Sequence, residues 1–145
     1  MICPACGNTL SPWNAGSVVV DVCQGGCGGI WFDLFEMRKV DEQEEREGRT
    51  LLHIVANPAI RVDARRKRPC PRCDGVYMMR RFFSRKKHVE IDECGNCGGI
   101  WLDPGELEKI RRECRPASGR DRDAEESIVR VVYRYISEVR YGGVM

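Results

Sequence analysis

Nine cysteines stand out in a chain of 145 residues whose formal net charge is only +2. So slight a charge argues against the whole chain acting as a strong polyanion binder, and no apolar run approaches the ~20 residues that a membrane span needs. The length allows one to two domains. No apolar, cleavable leader precedes Cys3, so the expected home is a reducing cytoplasm where thiols stay free.

The chain begins with Cys3-Pro4-Ala5-Cys6, followed by a second close pair, Cys23 and Cys27. Two thiolates two or three residues apart sit on one tight turn and can ligate one ion. Two such turns joined by a hairpin make a tetrahedral four-thiolate cage, the closed coordination of structural zinc. The pairs lie roughly 16 to 20 residues apart, a zinc-site spacing. Leu10 to Trp13 and Ser17 to Cys23 read as the hairpin strands, with Asn14-Ala15-Gly16 as the turn. Val18, Val19, Val20 and Val22 cannot all face inward, which leaves one edge for a partner or for another part of the chain. From Met1 to Glu36 there is no Lys or Arg, which argues against this module gripping a phosphate backbone.

After Cys27 the chain reads Gly28-Gly29-Ile30-Trp31-Phe32-Asp33, then Glu36. Ile-Trp predicts a short strand, and Asp33 with Glu36 predicts a capping box opening a helix. That helix continues through Met37 and Val40 into the charged run Asp41 to Glu47 and stops at Gly48. Its acidic face is expected to be solvated. Leu51 to Val55 is apolar enough to be buried, and its pattern fits helix or strand. His53 among these residues is expected to be packed rather than a ligand. From Arg61 onward the charge inverts: Arg65 to Arg68 leads into a second module.

That second module repeats the first. Cys70-Pro71-Arg72-Cys73 is followed by Cys94-Gly95-Asn96-Cys97-Gly98-Gly99-Ile100-Trp101-Leu102-Asp103-Pro104-Gly105-Glu106-Leu107. A duplication fixes the architecture before any other reading, and here it gives two modules of four cysteines each. Asp103 and Glu106 repeat the capping-box spacing, with Pro104 at the first helical position. Trp31 and Trp101 are expected to cover their zinc knuckles; base stacking is the functional alternative. Disulfides would need an oxidising compartment, and iron in a rubredoxin-like cage shares the four-sulfur pattern. Zinc is the expected ion, and its binding, on the order of 10–16 kcal/mol in small fingers, would supply folding energy that so small a core lacks.

These motifs resemble the transcription-factor-IIB-type zinc ribbon family of small prokaryotic proteins. Residues 70–107 carry the resemblance closely and residues 3–37 less so, since three residues separate Cys23 from Cys27 and Leu34-Phe35 replaces Pro-Gly. The resemblance implies two Zn²⁺, one on Cys3, Cys6, Cys23 and Cys27 and one on Cys70, Cys73, Cys94 and Cys97. It also implies a nucleic-acid association by analogy of fold.

The arm of the second hairpin carries Arg80, Arg81, Phe82, Phe83, Arg85, Lys86 and Lys87. Cations neutralise phosphates and rings stack on unpaired bases, so these seven are the candidate contacts for DNA or RNA. The competing reading packs Tyr77, Met79 and a Phe and leaves the charges as a solvated loop or a protein-docking face. Beyond Cys114, the ninth thiol and a bystander, residues 115–123 read as a linker. Ala124 to Tyr141 places Ile128, Val132, Tyr135, Ile136 and Val139 at helical spacing, with a strand as alternative.

The expected fold is small α+β and metal-stabilised: two zinc ribbons, each followed by a helix, with a helical connector and a C-terminal amphipathic helix. The expected units are residues 1–47, connector 48–68, residues 69–114, linker 115–123 and helix 124–145. Two histidines without a nucleophile pattern, and cages with no open position, point away from an enzyme and a small-molecule substrate. The expected role is a zinc-binding adaptor associated with nucleic acid. The alternative is a protein-interaction or assembly module, with self-association through the C-terminal helix.

Overall fold

A computed structural model describes residues 1–15, 18–33, 54–82, 89–106 and 109. The described residues form six strands: β1 (Ser11–Ala15), β2 (Val18–Val22), β3 (Ile30–Phe32), β4 (Met79–Phe82), β5 (Glu90–Glu93) and β6 (Ile100–Leu102). Each module contributes three, a hairpin and the short Ile-Trp strand that pairs with it.

The two triplets then join. β3 pairs antiparallel with β6, Trp31 opposite Trp101, Ile30 opposite Leu102 and Phe32 opposite Ile100. The result is one six-stranded sheet in the order β1-β2-β3-β6-β5-β4, with a pseudo-twofold at the Trp pair. The physical reason lies in the Ile-Trp strands. Each has three fully buried residues, too apolar for a sheet edge, so each covers the other's open side.

The α+β expectation is therefore corrected: the described elements form an antiparallel β-sheet, and none of them is a helix. The helices expected over 34–47 and 124–141 lie outside the described residues. After Asp103 the described chain turns and is helical at Glu106 and Lys109, with Glu106 N–H donating to Asp103 O (3.1 Å) and Lys109 N–H to Gly105 O (3.3 Å); the rest of the helix expected from Asp103 to about Cys114 lies outside the described residues. The capping box is not formed. The Asp103 carboxylate is taken by Arg68 and Trp101, and Glu106 accepts instead from Glu90 N–H.

Alternation of side chains gives the sheet two faces. One carries Trp31 and Trp101, packed with Leu10, Met78 and the cysteine clusters. The other carries Val20, Val22, Ile30, Phe32, Val89, Ile91, Ile100 and Leu102, all buried. Ile54 to Arg68 has no regular structure but is well anchored. Val55 O accepts from Gly25 N–H (2.7 Å) and Asn57 N–H donates to Gly26 O (2.8 Å), while Ile60 and Val62 pack half-buried on the Trp-side core. For the apolar stretch ending at Val55, its described end is neither helix nor strand.

Candidate metal centres

Each cage is assembled from two turns. Cys3 and Cys6 lie on the turn before β1, and Cys23 and Cys27 on the turn between β2 and β3. Cys70 and Cys73 precede β4, and Cys94 and Cys97 lie between β5 and β6. Within each cluster all four Sγ atoms lie within 4.8 Å of one another. Separations are 3.6 Å for Cys3–Cys27, 3.5 Å for Cys6–Cys23, 3.7 Å for Cys70–Cys97 and 4.0 Å for Cys73–Cys94. A tetrahedron of sulfurs with zinc–sulfur bonds of about 2.3 Å has edges of about 3.8 Å. Both clusters fit that solid.

The backbone prepares the sulfurs for negative charge. Cys6 N–H points at Cys3 Sγ (3.4 Å), Cys73 N–H at Cys70 Sγ (3.3 Å) and Cys97 N–H at Cys94 Sγ (3.4 Å). Two asparagines add side-chain donors, Asn8 Nδ2 to Cys6 Sγ (3.3 Å) and Asn96 Nδ2 to Cys73 Sγ (3.2 Å). These orienting asparagines were not singled out from sequence, although each sits within two residues of a ligand. Positive φ at Gly28 (85°) and Gly98 (77°) turns the chain out of each knuckle, a conformation glycine adopts without strain.

Ionisation shows why a cation is needed. The Cys27 thiol, hydrogen-bonded to Cys3, draws Cys3 down to about 5 against the effect of burial. That same bond, with burial, pushes Cys27 up, and burial with Cys6 pushes Cys23 up to about 11. In the second cage burial alone would raise Cys94, but the amides of Cys97 and Asn96 bring it down to about 7. Burial raises Cys70 and Cys97. Each cage thus sets one readily ionised sulfur beside two reluctant ones, and a dication is what stabilises four thiolates together.

The tryptophans work across the pseudo-twofold. A Cβ added to Gly99 would lie 2.2 Å from the Trp31 ring, and one added to Gly29 would lie 2.2 Å from the Trp101 ring. Each indole therefore lies over the glycine that follows the other module's knuckle, the diagonal neighbour on an antiparallel pair. The expectation that each covers its own knuckle is corrected to this reciprocal arrangement. The indoles differ in one respect: Trp101 Nε1 donates to Asp103 Oδ1 (2.8 Å), whereas the buried Trp31 Nε1 has no partner among the described residues. Asp33, the counterpart of Asp103, pairs instead with Arg72 of the second module.

Of the seven candidate nucleic-acid residues, Phe83, Arg85, Lys86 and Lys87 lie outside the described residues. Arg80 is turned inward, with Nε 3.4 Å from Asp92 and Nη2 3.8 Å from Asp103. Arg81 lies 3.9 Å from Glu93 and is half-exposed. Phe82, at 47% exposure, shares the edge of the sheet with Met79 at 47%, and Tyr77 beside them is 63% exposed. The packing expected for Tyr77 and Met79 in the competing reading is not found.

The model of the transcription factor zinc-finger family, the zinc ribbon of the transcription-factor-IIB type, matches residues 2–42 and 69–113. The chain belongs to that family. No curated protein and no solved structure matches it. As in the family's zinc ribbons, the two cages hold zinc, so this is a zinc-binding protein with two four-cysteine sites. No helix among the described residues is long and apolar enough to cross a membrane.

Proposed function

We propose that the protein is a non-enzymatic adaptor that associates with nucleic acid through the basic flank of its second zinc ribbon. The observation that carries this reading is the inequality of the two edges of a pseudo-symmetric sheet. Every residue of edge strand β4, Arg81 and Phe82 included, is exposed; the exposed Tyr77 precedes it, and the connector turn carrying Arg65, Arg66 and Lys67 is bonded to it through Arg80. The first ribbon, from Met1 to Glu36, has no Lys or Arg. Duplicated modules that diverge so far in charge have different tasks. Cations with exposed rings suit phosphates and unpaired bases. The closed cages leave zinc no open position for water, which supports a structural rather than a catalytic role. Each filled cage carries two net negative charges, bringing the formal +2 of the chain to −2. Attraction to phosphate must then come from the local patch.

The test is binding of the zinc-loaded chain to single- and double-stranded DNA and RNA across a salt series. Affinity that falls steeply with salt supports the reading; flat or absent binding would sink it. A second reading, a protein-interaction module, is favoured by exposed apolar side chains at the cation-free end: Ile2 at 59% and Val55 at 68%. Co-purification of a stoichiometric protein partner, without nucleic-acid binding, would favour it instead.

A further inference from the structure

The cations at the start of the second ribbon and on its edge strand divide into two kinds. Arg68 is only 1% exposed, and its guanidinium grips Asp103 with a two-pronged pair, Nε to Oδ1 (3.0 Å) and Nη2 to Oδ2 (3.1 Å). Arg80 is spent on Asp92 and Asp103. These two arginines are matched by two carboxylates, so they add little to the outward field. Arg65, Arg66 and Lys67 are exposed and pair with no carboxylate among the described residues.

The inward pair holds the outward cations in place. Arg68 Nη1 donates to Arg66 O (3.1 Å), and Arg80 Nη1 donates to Ala64 O. Asp63 closes the turn from the other end, its Oδ1 accepting from Arg65 N–H (2.9 Å) and its O from Arg66 N–H (3.3 Å). Four hydrogen bonds therefore fix the backbone of 63–66, and three exposed cationic side chains project from it and from the next residue, Lys67. Pro69, two residues past Lys67, forms a β-bridge with Tyr77, which places a 63%-exposed ring across from the segment leaving this turn.

We propose that this pinned turn, through Arg65, Arg66 and Lys67, is the phosphate-contacting element for single-stranded nucleic acid. Tyr77 is its stacking neighbour and Arg80 its pin rather than a contact. The inference rests on the nucleic-acid reading above and locates the contacts within it. A turn already fixed loses less conformational freedom on meeting a phosphate chain than an unbraced loop. The ring selects unpaired bases because every base offers a π-face.

The experiment follows the anisotropy of a labelled 20-nucleotide single strand with the zinc-loaded full-length chain, from about 50 to 200 mM salt. Wild type is compared with R65Q/R66Q/K67Q and with R85Q/K86Q/K87Q, each checked for its zinc content. The turn variant should reduce the magnitude of the log–log salt slope by about 2, at about 0.7 per lost phosphate contact, and weaken binding at least about tenfold. The arm variant should bind close to wild type. If the turn variant binds as wild type does while the arm variant loses affinity, this inference is overturned and the nucleic-acid reading stands. If wild type shows no salt-dependent binding, both fall.

Discussion

Gly29 and Gly99 are where one added carbon has the largest consequence. A Cβ at Gly99 would overlap the Trp31 ring, while one at Gly95, in the same knuckle, would among the described residues meet only Met79 Cε at 3.5 Å. Gly99→Ala is therefore expected to destabilise the zinc-loaded protein by about 1–3 kcal/mol, as overpacking does. Gly95→Ala should stay within about 0.5 kcal/mol. Denaturant unfolding compares the two, and equal costs would refute the reciprocal packing of the indoles. Arg68 is the second such position. Arg68→Met keeps most of the volume but leaves Asp103 without its main counter-charge, at an expected cost of about 3–5 kcal/mol. Arg68→Lys should fall between, because an ammonium cannot reproduce the two-pronged pair. If Arg68→Met unfolds at the wild-type midpoint, the buried pair is not holding the ribbon.

Strand β5 places a carboxylate, Asp92, opposite Trp101 and next to the arginine pins. Its pKa is raised above the ordinary 3.8, chiefly by burial, with Asp103 adding and Arg80 and Arg68 opposing. The folded chain thus holds this proton more tightly than the unfolded chain does. The contribution favours folding at low pH and is lost as pH rises from 3.8 through the raised value. Asp92→Asn removes that dependence, so the variant should gain stability relative to wild type as pH is raised through this window. Unfolding midpoints at several pH values decide it: a gap that does not change with pH would mean Asp92 titrates normally. The connector is also an element with a task. Ala56 Cβ lies 2.9 Å from a Cβ position at Gly28, and Gln24 Oε1 accepts from Val55 N–H (2.8 Å), so residues 54–57 clasp the first knuckle.

At the scale of the molecule, one sheet and one core contain both cages. Losing either ion frees the indole that packs on the other knuckle, so the two sites should empty together. Cys73→Ser, made at the more exposed second cage, is expected to lower zinc content by well over half rather than by half, since metal binding supplies folding energy to both modules. Metal analysis after gel filtration measures it, and retention of one ion per chain would mean that the ribbons fold independently. Chelation of wild type should abolish tryptophan burial in one step for the same reason.

The repeat and the spacing of the cysteines specified the ligand sets, the hairpins and the two Ile-Trp strands, because metal geometry and strand alternation are local in the chain. The charge contrast between the modules was equally legible. What spacing could not show is how the strands pair across the repeat: Ile30-Trp31-Phe32 reads the same whether it caps its own ribbon or meets the other. Only tertiary packing made these strands the centre of a sheet, which replaced the expected ribbon-and-helix fold with a continuous β-structure and sent each Trp to the opposite knuckle. Asp103 shows the same limit, since its spacing to Glu106 fits a capping box until a buried arginine 35 residues away takes the carboxylate. Composition likewise groups Arg65, Arg66, Lys67, Arg68 and Arg80 as one basic cluster. Which of them face solvent is set by Asp92 and Asp103, residues brought near only by the fold.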